Sequence, residues 1–295
     1  RMLLNNEVLY QFGPLDQGWW PDGLYTAPCD EALMFDIVKA KEMGFNMIRK
    51  HVKVEPARWY WHCDRLGMLV WQDMPNTYDN AKTQWNYSGF DLVTVNAMTS
   101  EEGKANFYHE WGEILKANLN FPCIVMWVPF NEAWGQFDTP AGVKFTRELD
   151  PTRLINPASG GNFDFSAGVK EFGDILDVHH YPCPAMNVFE RKFVNVLGEY
   201  GGIGMPVEGH TWIIDRKWGY GKVKENSEEL MKQYEEYLEM LKTFVATGCA
   251  AAVYTQTTDV EGEVNGLMTY DRKVIKMDVP RIAAANRKVI ESMSK

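Results

Sequence analysis

The sequence predicts a single α/β domain of the (β/α)8 TIM-barrel type. Three observations predict it. Eight short runs of β-forming residues punctuate the chain, and the stretches between them are mostly helical in pattern. The length of 295 residues suits a closed eight-stranded barrel, which typically takes ~250. A doubly wound open sheet is the alternative. It needs a glycine-rich phosphate turn after its first strand, and no G-x-G-x-x-G follows the first apolar run.

The elements follow in order. The first strand is expected at residues 8–12. Residues 30–43 read as a helix with Leu33, Met34, Ile37 and Val38 on one face, and Gly44 stops it as a C′ glycine does. A strand at 45–49, a helix at about 56–66 and a strand at 68–72 come next. The connection 76–96, with Tyr78, Trp85 and Tyr87, is long for a βα loop, as functional loops often are. Residues 100–119 read as a helix that runs into a strand at 124–128, a run too short for a helix and rich in β-formers. A helix near 142–149 ends at Asp150-Pro151. Strands are expected at 154–156, 176–179 and 194–197. Helix 227–247 carries Leu230, Tyr234, Tyr237, Leu238, Leu241, Phe244 and Val245 at helical spacing, and Gly248 ends it. The last strand is 250–255, and a helix from Pro280 closes the chain. No repeat or linker interrupts the pattern, so one domain over residues 1–295 is the simplest reading.

Composition narrows the function. With 45% hydrophobic and 24% charged residues, disordered, collagenous and coiled-coil classes are out. The net charge of −10 argues against non-specific binding to nucleic acid or anionic membrane. No run approaches the ~18 apolar residues of a spanning helix. The five cysteines are scattered and form no CxxC pair, so a zinc ribbon or thioredoxin-type site is not expected and buried thiols are. The N-terminus, Arg1-Met2-Leu3-Leu4-Asn5, is not a signal peptide and reads as a mid-chain start, as in a domain excised from a longer chain. Compartment stays open; an extracytoplasmic one is the favoured expectation for a bacterial chain.

A TIM barrel places its active site at the C-terminal ends of its strands. Here those ends read Asp16-Gln17-Gly18-Trp19-Trp20, Arg49-Lys50-His51, Gln72-Asp73, Asn131-Glu132, His179-His180-Tyr181, Gly198-Glu199-Tyr200 and Tyr254-Thr255-Gln256. A single charge at a strand end is usually a solvated residue; seven polar, aromatic ends aimed at one mouth point to a site. Glu132 and Glu199, on strands four and seven, lie on opposite sides of that mouth. Glycoside hydrolysis requires such a pair: one carboxylic acid protonates the leaving oxygen and the other supports the oxocarbenium-like centre. Trp19, Trp20, Trp127, Trp134, Tyr181, Tyr200 and Tyr254 fall at or near the strand ends, where aromatic faces stack on sugar C–H surfaces. Trp59, Trp61, Trp71 and Trp111 are expected in the core. In His179-His180 no third ligand follows at metal spacing, and His180 is expected to touch a sugar hydroxyl. The acidic turn 259–266 is read as solvated carboxylates rather than a calcium loop.

The run Asn120-Phe121-Pro122-Cys123-Ile124-Val125-Met126-Trp127-Val128-Pro129-Phe130-Asn131-Glu132 resembles the acid/base signature of glycoside hydrolase family 2, which includes β-galactosidases, β-glucuronidases and β-mannosidases. Gly44-Phe45-Asn46-Met47-Ile48-Arg49-Lys50-His51 resembles the family's strand-two motif, Cys63-Asp64-Arg65-Leu66-Gly67-Met68-Leu69-Val70 its next helix–strand unit, and Gly198-Glu199-Tyr200-Gly201-Gly202 its nucleophile strand. The motifs occur in the family's order and span most of the chain. The resemblance implies an exo-acting retaining β-glycosidase, galactosidase-like or mannosidase-like, with a carbohydrate substrate and no cofactor. It implies Glu132 as acid/base, Glu199 as nucleophile, Asn131 on the sugar 2-hydroxyl, Tyr181 on the nucleophile, Arg49 steadying it and His51 touching the sugar; Trp19, Trp20 and Trp134, by their place in polar loops, and Asp16, at the first strand end, are further candidates for binding the sugar. Arg49 is expected to keep Glu199 ionised, and burial to keep Glu132 protonated. The resemblance further implies upstream β-sandwich domains.

The chain also departs from the pattern. Val128 stands where the signature usually has Gly or Ser, and Gln72-Asp73-Met74 replaces a common Asp-Glu. No Glu-x-His follows, so the magnesium site of some β-galactosidases has no counterpart. The strand-eight tryptophan of the family is replaced within Tyr254-Thr255-Gln256. Three rivals remain at this stage: a carbohydrate-binding barrel without turnover, a transglycosylase, and an endo-acting glycanase of a neighbouring family.

Overall fold

The computed structural model describes residues 1–75, 100–160 and 172–293. Eight parallel strands form one sheet: β1 (Gln11–Asp16), β2 (Met47–Lys50), β3 (Leu69–Asp73), β4 (Ile124–Val128), β5 (Leu154–Ile155), β6 (Ile175–His180), β7 (Val194–Gly201) and β8 (Ala251–Thr255). The order around the sheet is β5-β4-β3-β2-β1-β8-β7-β6, so β1 pairs with β8 and the sheet wraps into a nearly closed barrel. The remaining seam between β5 and β6 is held by Asp174, whose N–H donates to the Ile155 carbonyl at 2.9 Å while its Oδ2 accepts from the Ile155 N–H at 2.9 Å. The helices are α1 (Asp30–Glu42), α2 (Ala57–Leu66), α3 (Glu101–Asn118), α4 (Thr139–Leu149), α5 (Ser227–Thr247) and α6 (Val279–Ser292). The long 76–96 connection lies outside the described residues.

The first strand differs from the sequence expectation. Asn5 and Asn6 both adopt positive φ, 52° and 68°, the conformation of a two-residue hairpin turn that asparagine tolerates. Leu3–Leu4 and Glu7–Val8 therefore pair with each other, and the barrel strand starts only at Gln11. It runs through Gly13-Pro14, beyond the expected end at residue 12. Gly13 is required there because a Cβ would lie 1.8 Å from the Met47 carbonyl oxygen of β2. Strand β7 is likewise longer than expected, so Glu199 lies within it and not beyond its end.

Alternation of side chains divides the apolar residues into two populations. Leu15, Met47, Trp71, Met126, Val128, Ile175, Val196 and Val253 fill the barrel interior. Phe12, Ile48, Val70, Ile124, Trp127, Leu197, Tyr200 and Tyr254 pack outward against the helices. Trp127, Tyr200 and Tyr254 are thus core residues and not pocket walls. Trp127 donates to Asp150 at 2.8 Å and meets Trp111 edge-on at 5.8 Å. Trp61, expected in the core, is 52% exposed, because it stands on the solvent face of α2 while Trp59 and Tyr60 are buried. The acidic turn is also corrected. Asp259 is buried and paired with Lys276 at 2.6 Å, and it accepts from the Gly266 N–H at 2.8 Å, so it is not a solvated carboxylate.

Helix ends carry their expected chemistry. Ser100 caps α3, Asn226 caps α5 and Asp278 caps α6, each accepting a first-turn N–H. Asn286 of α6 is fully buried; its Oδ1 accepts from the Tyr234 hydroxyl of α5 at 2.7 Å and its Nδ2 donates to the Met43 carbonyl after α1 at 2.8 Å. Replacing Asn286 with Ala strands both partners, and we expect a loss of about 2–4 kcal/mol, read as a lowered midpoint of urea denaturation. An unchanged midpoint would refute this account of how the helix layer is locked.

Candidate active site

The C-terminal mouth of the barrel is organised around Arg49. Strand β2 alternates inward at Met47 and Arg49, so the guanidinium points into the barrel, where it is fully buried. Its Nε and Nη2 take Asp73 of β3 at 3.2 and 2.9 Å. Nη2 also donates to Asn131 Oδ1 at 2.7 Å. Nη1 donates to Glu199 Oε1 and to the Gly198 carbonyl, both at 3.2 Å. Burial opposes the charge, but Asp73 and Glu199 outweigh it and hold the Arg49 pKa above its ordinary value.

Glu199 enters this group through an irregularity of β7. Val178 pairs with Leu197 and His179 with Glu199 on the β6 side, while Ala252 and Tyr254 of β8 pair with Leu197 and Tyr200. Gly198 is skipped on both sides, a β-bulge. Val194 and Val196 face inward, so unbroken alternation would send Glu199 outward; the extra residue turns it into the barrel. Only glycine fits there, since a Cβ would lie 2.0 Å from the Asp177 carboxylate. The Gly198 N–H donates to that carboxylate at 2.6 Å.

Glu132 arrives from the opposite side. After β4 the chain pairs briefly with Ser159, and Glu132 N–H donates to the Ser159 carbonyl at 2.9 Å. Glu132 and Ala133 then take φ of 48° and 63°, a left-handed conformation that side chains rarely adopt and that clusters at functional sites. His179 bridges the two glutamates. Its Nδ1 lies 2.8 Å from Glu132 Oε1 and 3.5 Å from Glu199 Oε2. The Ser159 hydroxyl donates to Asp177 at 2.6 Å and lies 2.8 Å from His179 Nε2, so Nε2 is the donor to Ser159 and Nδ1 is left facing the glutamates. Burial alone would lower the His179 pKa; Glu199, then Asp177 and Glu132, push it up to about 10.

Tyr181 donates to Glu199 Oε2 at 2.7 Å and lies 2.6 Å from the Thr255 hydroxyl. His51 Nε2 is 3.5 Å from Glu199 Oε1, and burial, then Arg49, holds its pKa well below the ordinary value, which keeps it neutral. Glu199 itself is pushed up to about 7, by burial first; His179 opposes this, Glu132 adds to it, and Arg49 and Tyr181 lower it. Glu199 thus differs from the expectation that Arg49 keeps it ionised in the ordinary carboxylate range: burial outweighs the Arg49 charge.

The structure brings together Glu132, Glu199, Asn131, Arg49, His51 and Tyr181 of the expected residues. Asp16, His180, Trp19 and Trp20 have their contacts elsewhere. Asp16 faces outward from β1, is 1% exposed, and is bound to Lys50 at 2.7 Å. His180 alternates away from His179 and its Nδ1 contacts the Cys183 carbonyl at 2.7 Å. Trp19 stacks on Tyr25 at 4.3 Å, and Trp20 is buried beneath Arg272 at 3.8 Å. Trp134 is half-buried on the turn after Glu132. Sequence reading placed Asp73 and His179 at the mouth without a role, and missed Asp177, Ser159 and Tyr220. Period-two alternation from Ile175 would have found Asp177; nothing in the sequence marks Ser159 or Tyr220. It also missed that one ligand atom each from Glu132, His179 and Glu199 lie within 4.8 Å of one another, a donor set suited to a divalent ion. Within this set His179 Nδ1 and Glu132 Oε1 lie in hydrogen-bond contact at 2.8 Å.

Comparison with known proteins bears on the family and the fold. Residues 28–274 match the model of "Glycosyl hydrolases family 2, TIM barrel domain". A β-galactosidase of Klebsiella pneumoniae is 26% identical over 126 residues, 43% of this chain and 11% of that protein. A putative β-glucuronidase of Formosa agariphila is 29% identical over 146 residues, 48% of this chain and 12% of that protein. The chain therefore spans a small part of the length of these relatives. The FMN-binding β-glucuronidase of Facaelibacterium prausnitzii L2-6 superposes with a TM-score of 0.66 at 23% identity, over 95% of this chain and 44% of that one. A galacturonate-bound β-galacturonidase of Eisenbergiella tayi superposes at 0.65 with 16% identity, over 96% and 51%. The structural likenesses speak to the fold; the family match covers most of the chain, and the chain belongs to glycosyl hydrolase family 2, of which it carries the TIM-barrel domain.

Proposed function

We propose that this barrel is the catalytic domain of a retaining exo-β-glycosidase that removes a terminal β-linked sugar by double displacement. The observation that carries the proposal is the approach of Glu132 and Glu199, whose facing oxygens lie within 4.8 Å. Retaining enzymes hold their carboxyl groups roughly 5–5.5 Å apart, and inverting ones about 6.5–9.5 Å to admit a water.

Glu199 is the nucleophile. Arg49 and Tyr181 each take one of its oxygens, which fixes the plane of the carboxylate. An oxygen of Glu199 bonds to the anomeric carbon as the glycosidic bond breaks, and the proton of Glu132 goes to the departing oxygen. In the second step Glu132 takes a proton from water, the water oxygen bonds to the same carbon, and Glu199 is released. His179 is a positioning residue: its Nδ1–H directed at Glu132 steadies the carboxylate left when that proton is given up. Asn131, oriented by Arg49, is the partner for the sugar 2-hydroxyl, and neutral His51 beside Glu199 offers a further hydroxyl contact. The near-complete burial of Glu199 suits a site that accepts one terminal ring.

Two tests follow. Glu199→Ala is expected to lower turnover of an aryl β-glycoside at least about a thousandfold, with partial rescue by azide or formate; unchanged turnover sinks the assignment. The nucleophile acts ionised and its pKa is raised to about 7, so kcat/KM falls as pH drops through about 7. Tyr181 donates to the ionised form, so Tyr181→Phe raises that pKa further. The acid limb of the pH profile then moves to higher pH and kcat/KM at pH 7 drops about tenfold or more. A limb that stays put or moves to lower pH contradicts this role.

A further inference from the structure

Glu263 is a third carboxylate bordering this site. Its Oε2 accepts from Gln256 Nε2 at 2.8 Å and from Asn265 Nδ2 at 3.1 Å. Both amide bonds go to that oxygen; Oε1 accepts none among the described residues. Gln256 follows Thr255, whose hydroxyl lies 2.6 Å from the Tyr181 hydroxyl that binds Glu199. A second path runs through aromatic rings. The backbone of Glu263 pairs with that of Trp218, the Trp218 ring meets Tyr220 edge-on at 5.3 Å, and Tyr220 stacks on Tyr181 at 3.7 Å. Burial, then Glu199, Glu263 and Glu132, holds the Tyr220 hydroxyl well above its ordinary pKa. Both paths end at Tyr181, whose hydroxyl binds Glu199.

The charge around Glu263 is one-sided. Its polar partners are amides, and the other charged groups acting on it are Glu261 and Asp259. Among the described residues no ion pair reaches Glu263. Arg49 holds Asp73 and Glu199, Lys50 holds Asp16 and Glu55, Arg272 holds Asp36, and Lys276 holds Asp259. His179 faces Glu132 and Glu199.

We propose that Glu263, held by Gln256 and Asn265, is a specificity-determining residue that makes this site take neutral β-hexosides and reject β-uronides. The inference rests on reading Glu132 and Glu199 as the catalytic pair. A neutral sugar offers hydroxyl donors, which a carboxylate oxygen accepts in a short, charge-assisted hydrogen bond. A uronate offers a carboxylate, which sets acceptor against acceptor and like charge against like. Such a repulsive element discriminates more sharply than an added contact.

The test is a panel of aryl β-galactoside, β-glucoside, β-mannoside, β-glucuronide and β-galacturonide, run on the full chain, on Glu263→Gln and on Glu263→Lys. The unaltered protein is expected to favour its best hexoside over either uronide by about a hundredfold in kcat/KM, and Glu263→Gln to raise the uronide-to-hexoside ratio about tenfold. A uronide preference in the unaltered protein overturns the inference without any variant. So does an unchanged ratio in both variants, provided that they melt at the unaltered temperature. Either result leaves the glycosidase reading intact. Absence of turnover on every glycoside defeats that reading instead. The inference is then judged by calorimetry with a β-thiogalactoside and a β-thioglucuronide: tighter thiogalactoside binding upholds it, and equal or tighter thioglucuronide binding overturns it.

Discussion

The buried Arg49 guanidinium is the interaction on which the rest of the site depends. A fully buried cation is tolerated only when its donors are met and its charge is balanced. Here Asp73, Asn131, Gly198 and Glu199 meet it from β3, the end of β4 and β7. The fork geometry of arginine lets one side chain reach all of these, which a lysine cannot do. Barrel packing and site geometry are therefore one constraint at this level: a shift of β7 away from β2 would leave a buried charge uncompensated.

That constraint explains the local irregularities. The bulge at Gly198 exposes one carbonyl to Arg49 and one N–H to Asp177, and it rotates Glu199 toward the same guanidinium. The left-handed turn at Glu132 is held by the bonds between Phe130–Glu132 and Ser159, and Ser159 also orients His179. Strain at Glu132 and the ring position of His179 are therefore set by the same short segment. Each irregularity costs local stability and is retained by a partner that the regular geometry would not reach.

Electrostatics at the mouth follow from the same arrangement. Asp73, Asp177, Glu132 and Glu199 outnumber Arg49 and the charged His179. The surplus of acid raises the proton affinity of His179 and, with burial, that of Glu199. A site of this sign is chemically suited to stabilise positive charge developing in a bound ligand.

The sequence by itself determined the fold class, most element positions and the two glutamates. The helix at 227–247 and the strand at 124–128 fall where period and composition put them, because hydrophobic periodicity is a local property of the chain. Its aromatic richness misled more than it helped: Trp127, Tyr200 and Tyr254 sit at strand ends yet face the helices. Tertiary structure decided which side of each strand faces the pocket. Alternation makes side-chain direction depend on register, and one extra residue at Gly198 reverses it for Glu199. It also decided that His179 and not His180 reaches the glutamates, that Asp16 serves Lys50, and that Ser159, Tyr220 and Glu263 join from distant loops. Those contacts join residues far apart in the chain, so no local pattern encodes them; they exist only once the barrel has closed.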